Sequence, residues 1–184
     1  MTKRVLIVLA EGFEEIEAVT PIDILRRAGV EVRIAGLSGK TVSGSHGLQI
    51  QADVTLEEAG SSFDAIILPG GMPGSKNLNQ SKKVAEIVKK MYGDGKWVTA
   101  ICAAPALALA PAGILEGKKA TCYPGFENHF SSGVRFSEDR VVIDKNVITS
   151  RGPGTALEFS LELVEKLVSK EAVQKLKEAL LIAP

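Results

Sequence analysis

Cys102 ends a run of apolar residues, Trp97 to Ile101, and is followed at once by Ala103-Ala104-Pro105, small residues that can begin a helix. A thiol on such a strand-to-helix turn lies near helix N–H groups. Their partial positive charge lowers a thiol pKa and so favours the nucleophilic thiolate. The turn has the form of the serine elbow of hydrolases. On position alone a buried structural cysteine fits as well, since free cysteine is among the most buried residue types. Cys122, late in another apolar run, reads as core or as a pocket wall. Gly70-Gly71 follows Ala65 to Leu68 and is either a tight turn or a pair of bare amides facing an anion or oxyanion. Three acids, Glu14, Glu15 and Glu17, open a helix, where the macrodipole favours carboxylates anyway. Glu17 is therefore either a proton-handling group or part of a solvated first turn. The chain has only two histidines, His46 and His129; each alone reads as a surface or loop residue. Arg151, before Gly152-Pro153-Gly154, either binds an anion or stabilises a subunit contact.

These residues fall just after the segments expected to form a sheet. Val5 to Ala10 is a continuous apolar run, as in a strand covered on both faces. Further strands are expected at 30–35, 65–68, 97–101, 119–122, 141–143 and 147–150, with helices between them. From Ser81 to Tyr92, residues Val84, Ile87, Val88 and Met91 follow helical spacing, with Ser81 as N-cap and Gly93 just past the end. Phe159, Leu163, Val164 and Leu167 form a second stripe after Thr155, and a short last helix is expected from about Glu171. A helix over 14–28 carries Ile16, Val19, Ile24 and Leu25, and Pro21 must bend it or delay its start. Residues 42–50, with Gly44 and Gly47, read as an inserted hairpin. The alternation predicts a doubly wound, mostly parallel α/β sheet whose ligands bind beyond the strands' carboxyl ends.

The 184 residues suit a single domain, 1–184, with 45% hydrophobic and 24% charged residues. Lys plus Arg (22) balance Asp plus Glu (22), so no net field draws nucleic acid or anionic lipid. Two cysteines make no secreted disulfide framework, and no Cys/His cluster has zinc spacing. No segment approaches the roughly 18 apolar residues of a membrane span, and the expectation is a soluble cytoplasmic protein. No G-x-x-x-x-G-K-[ST] and no G-x-G-x-x-G after the first strand support a nucleotide.

Taken together, Leu9-Ala10-Glu11-Gly12-Phe13-Glu14-Glu15-Ile16-Glu17, Leu68-Pro69-Gly70-Gly71, Ala100-Ile101-Cys102-Ala103-Ala104-Pro105 and Ser150-Arg151-Gly152-Pro153-Gly154-Thr155 resemble the ThiJ/PfpI superfamily. Within it they are most similar to the parkinsonism-associated deglycase branch and its bacterial relatives, over essentially the whole chain. The resemblance implies a flavodoxin-like three-layer sandwich that forms a homodimer. It makes Cys102 the reactive cysteine on a nucleophile elbow. Glu17 becomes the buried, protonated acid that hydrogen-bonds the sulfur, a state that burial favours. Gly70, Gly71 and Ala103 become the amide lining of an anion pocket. Tyr123 stands as a pocket wall where many members have a histidine, and His129 is the one histidine nearby that could replace it. His46 stands where close relatives have an arginine that joins the Arg151 position in binding an anion near the dimer interface; a histidine would make that site pH-dependent. The protease branch has His where this chain has Ala103, which disfavours a cysteine peptidase. The reaction implied is of the glyoxalase or deglycase kind, on a small aldehyde or glycated substrate, with no metal or organic cofactor. The rival is a redox sensor or redox-regulated chaperone that works by oxidation of Cys102.

Overall fold

The computed structural model describes residues 2–182. Its main sheet comprises β1 (Arg4–Leu9), β2 (Glu31–Gly36), β5 (Val54–Thr55), β6 (Ala65–Leu68), β7 (Trp97–Ile101), β10 (Val141–Asp144) and β11 (Val147–Ser150). Their order is β10-β11-β7-β6-β1-β2-β5, with every pairing parallel except β10 with β11. The expected hairpin is present as β3 (Thr41–Ser43) and β4 (Gln49–Gln51).

Strand alternation builds two cores from one strand. Val5, Ile7 and Leu9 of β1 face α1 (Glu15–Arg27) and α4 (Ala156–Leu167), packing with Leu25, Phe159 and Leu163. Leu6 and Val8 face the other way, towards Val84, Val88 and Met91 of α3 (Lys82–Gly93) and Leu109. Each such fully buried side chain contributes about 1.5–3 kcal/mol. The result is the three-layer, flavodoxin-like sandwich, with α2 (Gly74–Gln80) before α3 and α5 (Lys170–Ala179) after α4. Ser81 caps α3 by accepting the Val84 N–H at 3.2 Å, as its sequence position suggests.

Three local expectations change. Lys119 to Cys122 is not a strand of the main sheet: only β8 (Lys119–Ala120) is extended, and it pairs with β9 (Arg135–Phe136). The Thr149 hydroxyl accepts the Thr121 N–H, so that segment is tied to β11 by a side chain instead of a ladder. Pro21 does not delay α1, which starts at Glu15 and runs through it. Ile16 and Val19 are exposed (53% and 46%), while Glu17 is buried on the face of α1 that carries Ala18 and Leu25, and Glu15 is buried beneath the hairpin at Gly44 and His46. Rotation of α1 against α4 and β1 carries Glu17 inward, and the hairpin covers Glu15.

The chain runs from β1 outward through β2 and β5, then returns to β6 on the other side of β1 and continues to β7 and β11. The order therefore reverses between β1 and β6, the point at which open α/β sheets hold their ligands. The Gly70-Gly71 loop leaves β6 there, and Cys102 leaves the neighbouring β7.

Candidate functional site

β7 delivers Cys102 into a left-handed backbone conformation, φ 66, which non-glycine residues rarely adopt. Such a conformation costs of order 1–3 kcal/mol and persists only where its surroundings enforce it. Here the Cys102 N–H donates to the Ser150 carbonyl (2.9 Å), and its own carbonyl accepts the Tyr123 N–H (2.8 Å). Ser150 is fixed in turn: its Oγ lies 2.6 Å from the Thr155 hydroxyl, which also accepts the Gly152 N–H at 3.1 Å. The Ser150–Thr155 motif thus positions the elbow.

No long helix follows the elbow. Residues Pro105–Leu109 form a single wide turn, with the Ala110 N–H reaching back to the Pro105 carbonyl. The electrostatic help at sulfur comes from two nearby amides, Gly71 and Ala103, which donate towards the thiol. They do not prevail. Burial pushes the thiol pKa up, and the Glu17 carboxylate adds to that by its charge and as an acceptor of the thiol proton. The expectation of a thiol lowered by a helix terminus is therefore corrected: burial, the largest cause, raises it whether or not Glu17 is ionised.

Glu17 is fully buried. Its Oε2 accepts the Gly70 N–H at 2.8 Å, while Oε1 has no hydrogen-bond partner among the described residues. Burial raises its pKa to about 8, against the opposing pull of the Cys102 side chain and the Gly70 amide. The carboxyl is therefore protonated at neutral pH, and a protonated carboxyl donates a hydrogen bond instead of repelling a thiolate. With Glu17 neutral, the charge and acceptor contributions that raise the Cys102 thiol both vanish. Cys102 and Glu17 thus titrate as one unit.

Gly70 is what lets the two groups meet. A Cβ there would lie 2.5 Å from both Cys102 Cβ and Glu17 Oε2, and 3.0 Å from the sulfur. Gly71 has φ 89, a left-handed value that turns its amide towards the thiol without the strain a side chain would bring. Glu14 completes the frame, and sequence reasoning treated it only as one of three helix-opening acids. Its Oε2 caps the Glu17 N–H (2.8 Å) and its N–H donates to the Gly70 carbonyl (3.0 Å). An acid immediately before a helix at an N-cap position is the signal that could have identified it.

Of the residues singled out in the sequence, Cys102, Glu17, Gly70, Gly71 and Ala103 come together. Tyr123 joins them through its backbone, with its 45%-exposed ring against Gly152 and edge-on to Phe126. His129 stacks on Phe126 at 6.0 Å, and no contact places it at the sulfur. His46 and Arg151 are not brought together within the chain. The His46 ring lies 2.8 Å from Glu15, whereas Arg151 lies over Phe136 and acts on Cys122, with its Nη1 buried and without a hydrogen-bond partner among the described residues. Both cysteines are free. Among the described residues no helix is long and apolar enough to cross a membrane.

Comparison with known proteins agrees with this fold. DJ-1 homolog B of Arabidopsis thaliana is 46% identical over 185 residues, and the chain spans 42% of that relative's length. The Drosophila melanogaster protein dj-1beta is 41% identical over all of this chain and 99% of its own; its crystal structure superposes with a TM-score of 0.96 over both whole chains. A protein of Pyrococcus abyssi named a deglycase is 38% identical over 89% of this chain and 99% of its own. The model of the DJ-1/PfpI family matches residues 3–166, and the chain belongs to that family.

Proposed function

We propose that this protein is a cysteine-dependent enzyme for small reactive carbonyls, converting methylglyoxal to lactate or releasing an early glycation adduct, without a cofactor. The observation that carries the reading is Glu17: a fully buried carboxyl with one oxygen on Gly70 and the other free, beside a nucleophile held at φ 66. The deglycase name of the Pyrococcus abyssi relative supports it.

In the proposed cycle the thiol releases its proton to water as Cys102 sulfur bonds to the aldehyde carbon, and the Gly71 and Ala103 amides stabilise the developing alkoxide. Glu17 gives its proton to that oxygen and, as carboxylate, removes the aldehyde-derived hydrogen from carbon 1. Returning that proton to carbon 2 leaves a thioester of the 2-hydroxy acid. Water then cleaves the carbon–sulfur bond: one hydrogen restores the thiol, and the acid proton of the product returns to Glu17 as lactate leaves. Oxidation at carbon 1 balances reduction at carbon 2, so no external oxidant enters. A single residue serves as acid and then as base, which suits a carboxyl whose pKa lies near neutrality.

The protein is proposed to work as a homodimer, with a second copy covering exposed Ile16, Val19 and Leu48. The unpaired Arg151 Nη1 is proposed to receive an anion. Lactate formation from methylglyoxal, measured for wild type, Cys102→Ala and Glu17→Gln, tests the reaction. Full activity in either variant overturns the assigned roles.

A second reading is favoured by the two amides donating towards a partly exposed sulfur. They would stabilise a sulfinate formed as two equivalents of hydrogen peroxide oxidise Cys102 in succession, each reduced to water. Mass spectrometry after mild peroxide tests it; an unmodified Cys102 beside an oxidised Cys122 excludes it.

A further inference from the structure

Glu14 and Glu15 form a second cluster beside the cysteine pocket that the proposed reaction does not use. Both are more than nine-tenths buried, at 8% and 6% exposure. Buried carboxylates are ordinarily paired with a cation or coordinate a metal. Among the described residues neither has a Lys or Arg partner, and the one basic group beside them is the exposed ring of His46. One ligand atom from each of Glu14, Glu15 and His46 lies within 4.8 Å of the others. Oε2 of Glu14 accepts the Glu17 N–H, which leaves its Oε1 without a hydrogen bond among the described residues.

The hairpin is shaped around Glu15. The His46 N–H donates to Oε1 at 2.6 Å, and Oε2 lies 2.8 Å from His46 Nδ1 and 3.3 Å from the Ser45 hydroxyl. The Ser45 N–H donates to the Phe13 carbonyl, which ties the hairpin to the start of α1. Gly44 leaves the room: a Cβ there would meet Glu15 Cδ at 2.5 Å and Cγ at 2.7 Å. A mixed set of one imidazole and two carboxylates is thus held in place by backbone from two separate elements.

We propose that Glu14, Glu15 and His46 form a binding site for a divalent first-row transition ion, represented by zinc. An imidazole with two carboxylates suits zinc, manganese or iron(II) better than calcium or magnesium, which take mostly oxygen ligands and more of them. Two ligands at about 2.1 Å from one tetrahedral ion lie about 3.4 Å apart, so closing the cluster requires only small side-chain movements. With three protein ligands, the ion keeps a fourth coordination position open. The site stands apart from the carbonyl chemistry proposed for Cys102, and either holds without the other.

Equilibrium dialysis of the full chain against excess zinc, followed by elemental analysis, tests it. The expected result is about one ion per chain, retained in Cys102→Ala and in Cys122→Ala, with affinity at least ten-fold weaker in His46→Gln. His46 is exposed, and an unchanged melting curve of the apo variant confirms that its fold is intact. Glu14→Gln, which keeps an oxygen to cap Glu17, should weaken binding in the same way. Cobalt(II) in place of zinc should give visible d–d bands with no thiolate charge-transfer band. Loss of binding in Cys102→Ala, undiminished binding in His46→Gln, a thiolate band, or no retained zinc in the wild type would each overturn the proposal.

Discussion

Cys102 and Cys122 lie on adjoining segments, linked by the hydrogen bond from the Tyr123 N–H to the Cys102 carbonyl. Both thiols are pushed above their ordinary pKa by burial. Their surroundings then diverge. Cys102 has a left-handed backbone, partial exposure, two amides aimed at its sulfur and a protonatable carboxyl beside it. Cys122 is fully buried, with the Glu127 charge raising its pKa and Arg151 opposing that rise. Burial alone makes a thiol inert. What sets the first apart, and what its proposed role as nucleophile rests on, is a neighbouring carboxyl that can be neutral when the sulfur carries the negative charge.

The largest separation between the two sites should come from deleting each sulfur. Cys102→Ala is expected to abolish lactate formation from methylglyoxal, whereas Cys122→Ala should retain it within a few-fold. Glu17→Gln comes next. It preserves an acceptor for the Gly70 N–H but cannot cycle a proton, so kcat should fall by about 100-fold or more. Comparable turnover in Glu17→Gln would return Cys102 to the same standing as Cys122 and leave the proton role without an owner.

Gly70→Ala sharpens the same contrast by geometry. Its Cβ would sit 2.5 Å from Cys102 Cβ and from Glu17 Oε2, so the pair must separate. Activity should fall by about ten-fold or more, consistent with the sensitivity of reacting groups to displacements near 1 Å. The native alkylation rate of Cys122 should not change. Steady-state kinetics and iodoacetamide labelling on one preparation check both statements.

The sequence made the elbow legible because its signal is local: an apolar strand, then a cysteine, then small residues. The hairpin at 42–50 and the α3 cap at Ser81 were legible for the same reason. The acids of α1 were not. Carboxylates suit any helix N-terminus, so their presence could not say whether they were solvated, and Ile16 and Val19 appeared the better core residues. Only the packing of α1 on α4 and β1 decides which face turns inward. Contacts between distant segments were equally hidden: Glu15 and His46 are separated by 31 positions, and Gly70 meets Glu17 across 53. The thiol's raised pKa belongs to this class, because it depends on the charge of a residue from another element.

The smallest expected effect concerns Cys122 and stability. Its thiol pKa is pushed from an ordinary 9.0 up to about 12, by burial first and by the Glu127 charge second. The folded chain therefore holds this proton more tightly than the unfolded chain. Between pH 9 and 12 the unfolded state binds fewer protons at this site, so stability falls as pH rises through that window. Below pH 9 the contribution is fully present. Lysines and tyrosines titrate over the same range, so the quantity to measure is the difference in unfolding free energy between wild type and Cys122→Ala. At pH 7 to 8 the variant should be less stable by about 1–2 kcal/mol, from the lost packing of a fully buried side chain. That difference should narrow steadily above pH 9, because the wild type alone must bury a thiol that prefers to ionise. A difference that stays constant to pH 11 would mean that Cys122 ionises without cost in the folded chain. Its inertness would then have to come from steric closure, and the contrast with Cys102 would be one of access instead of charge.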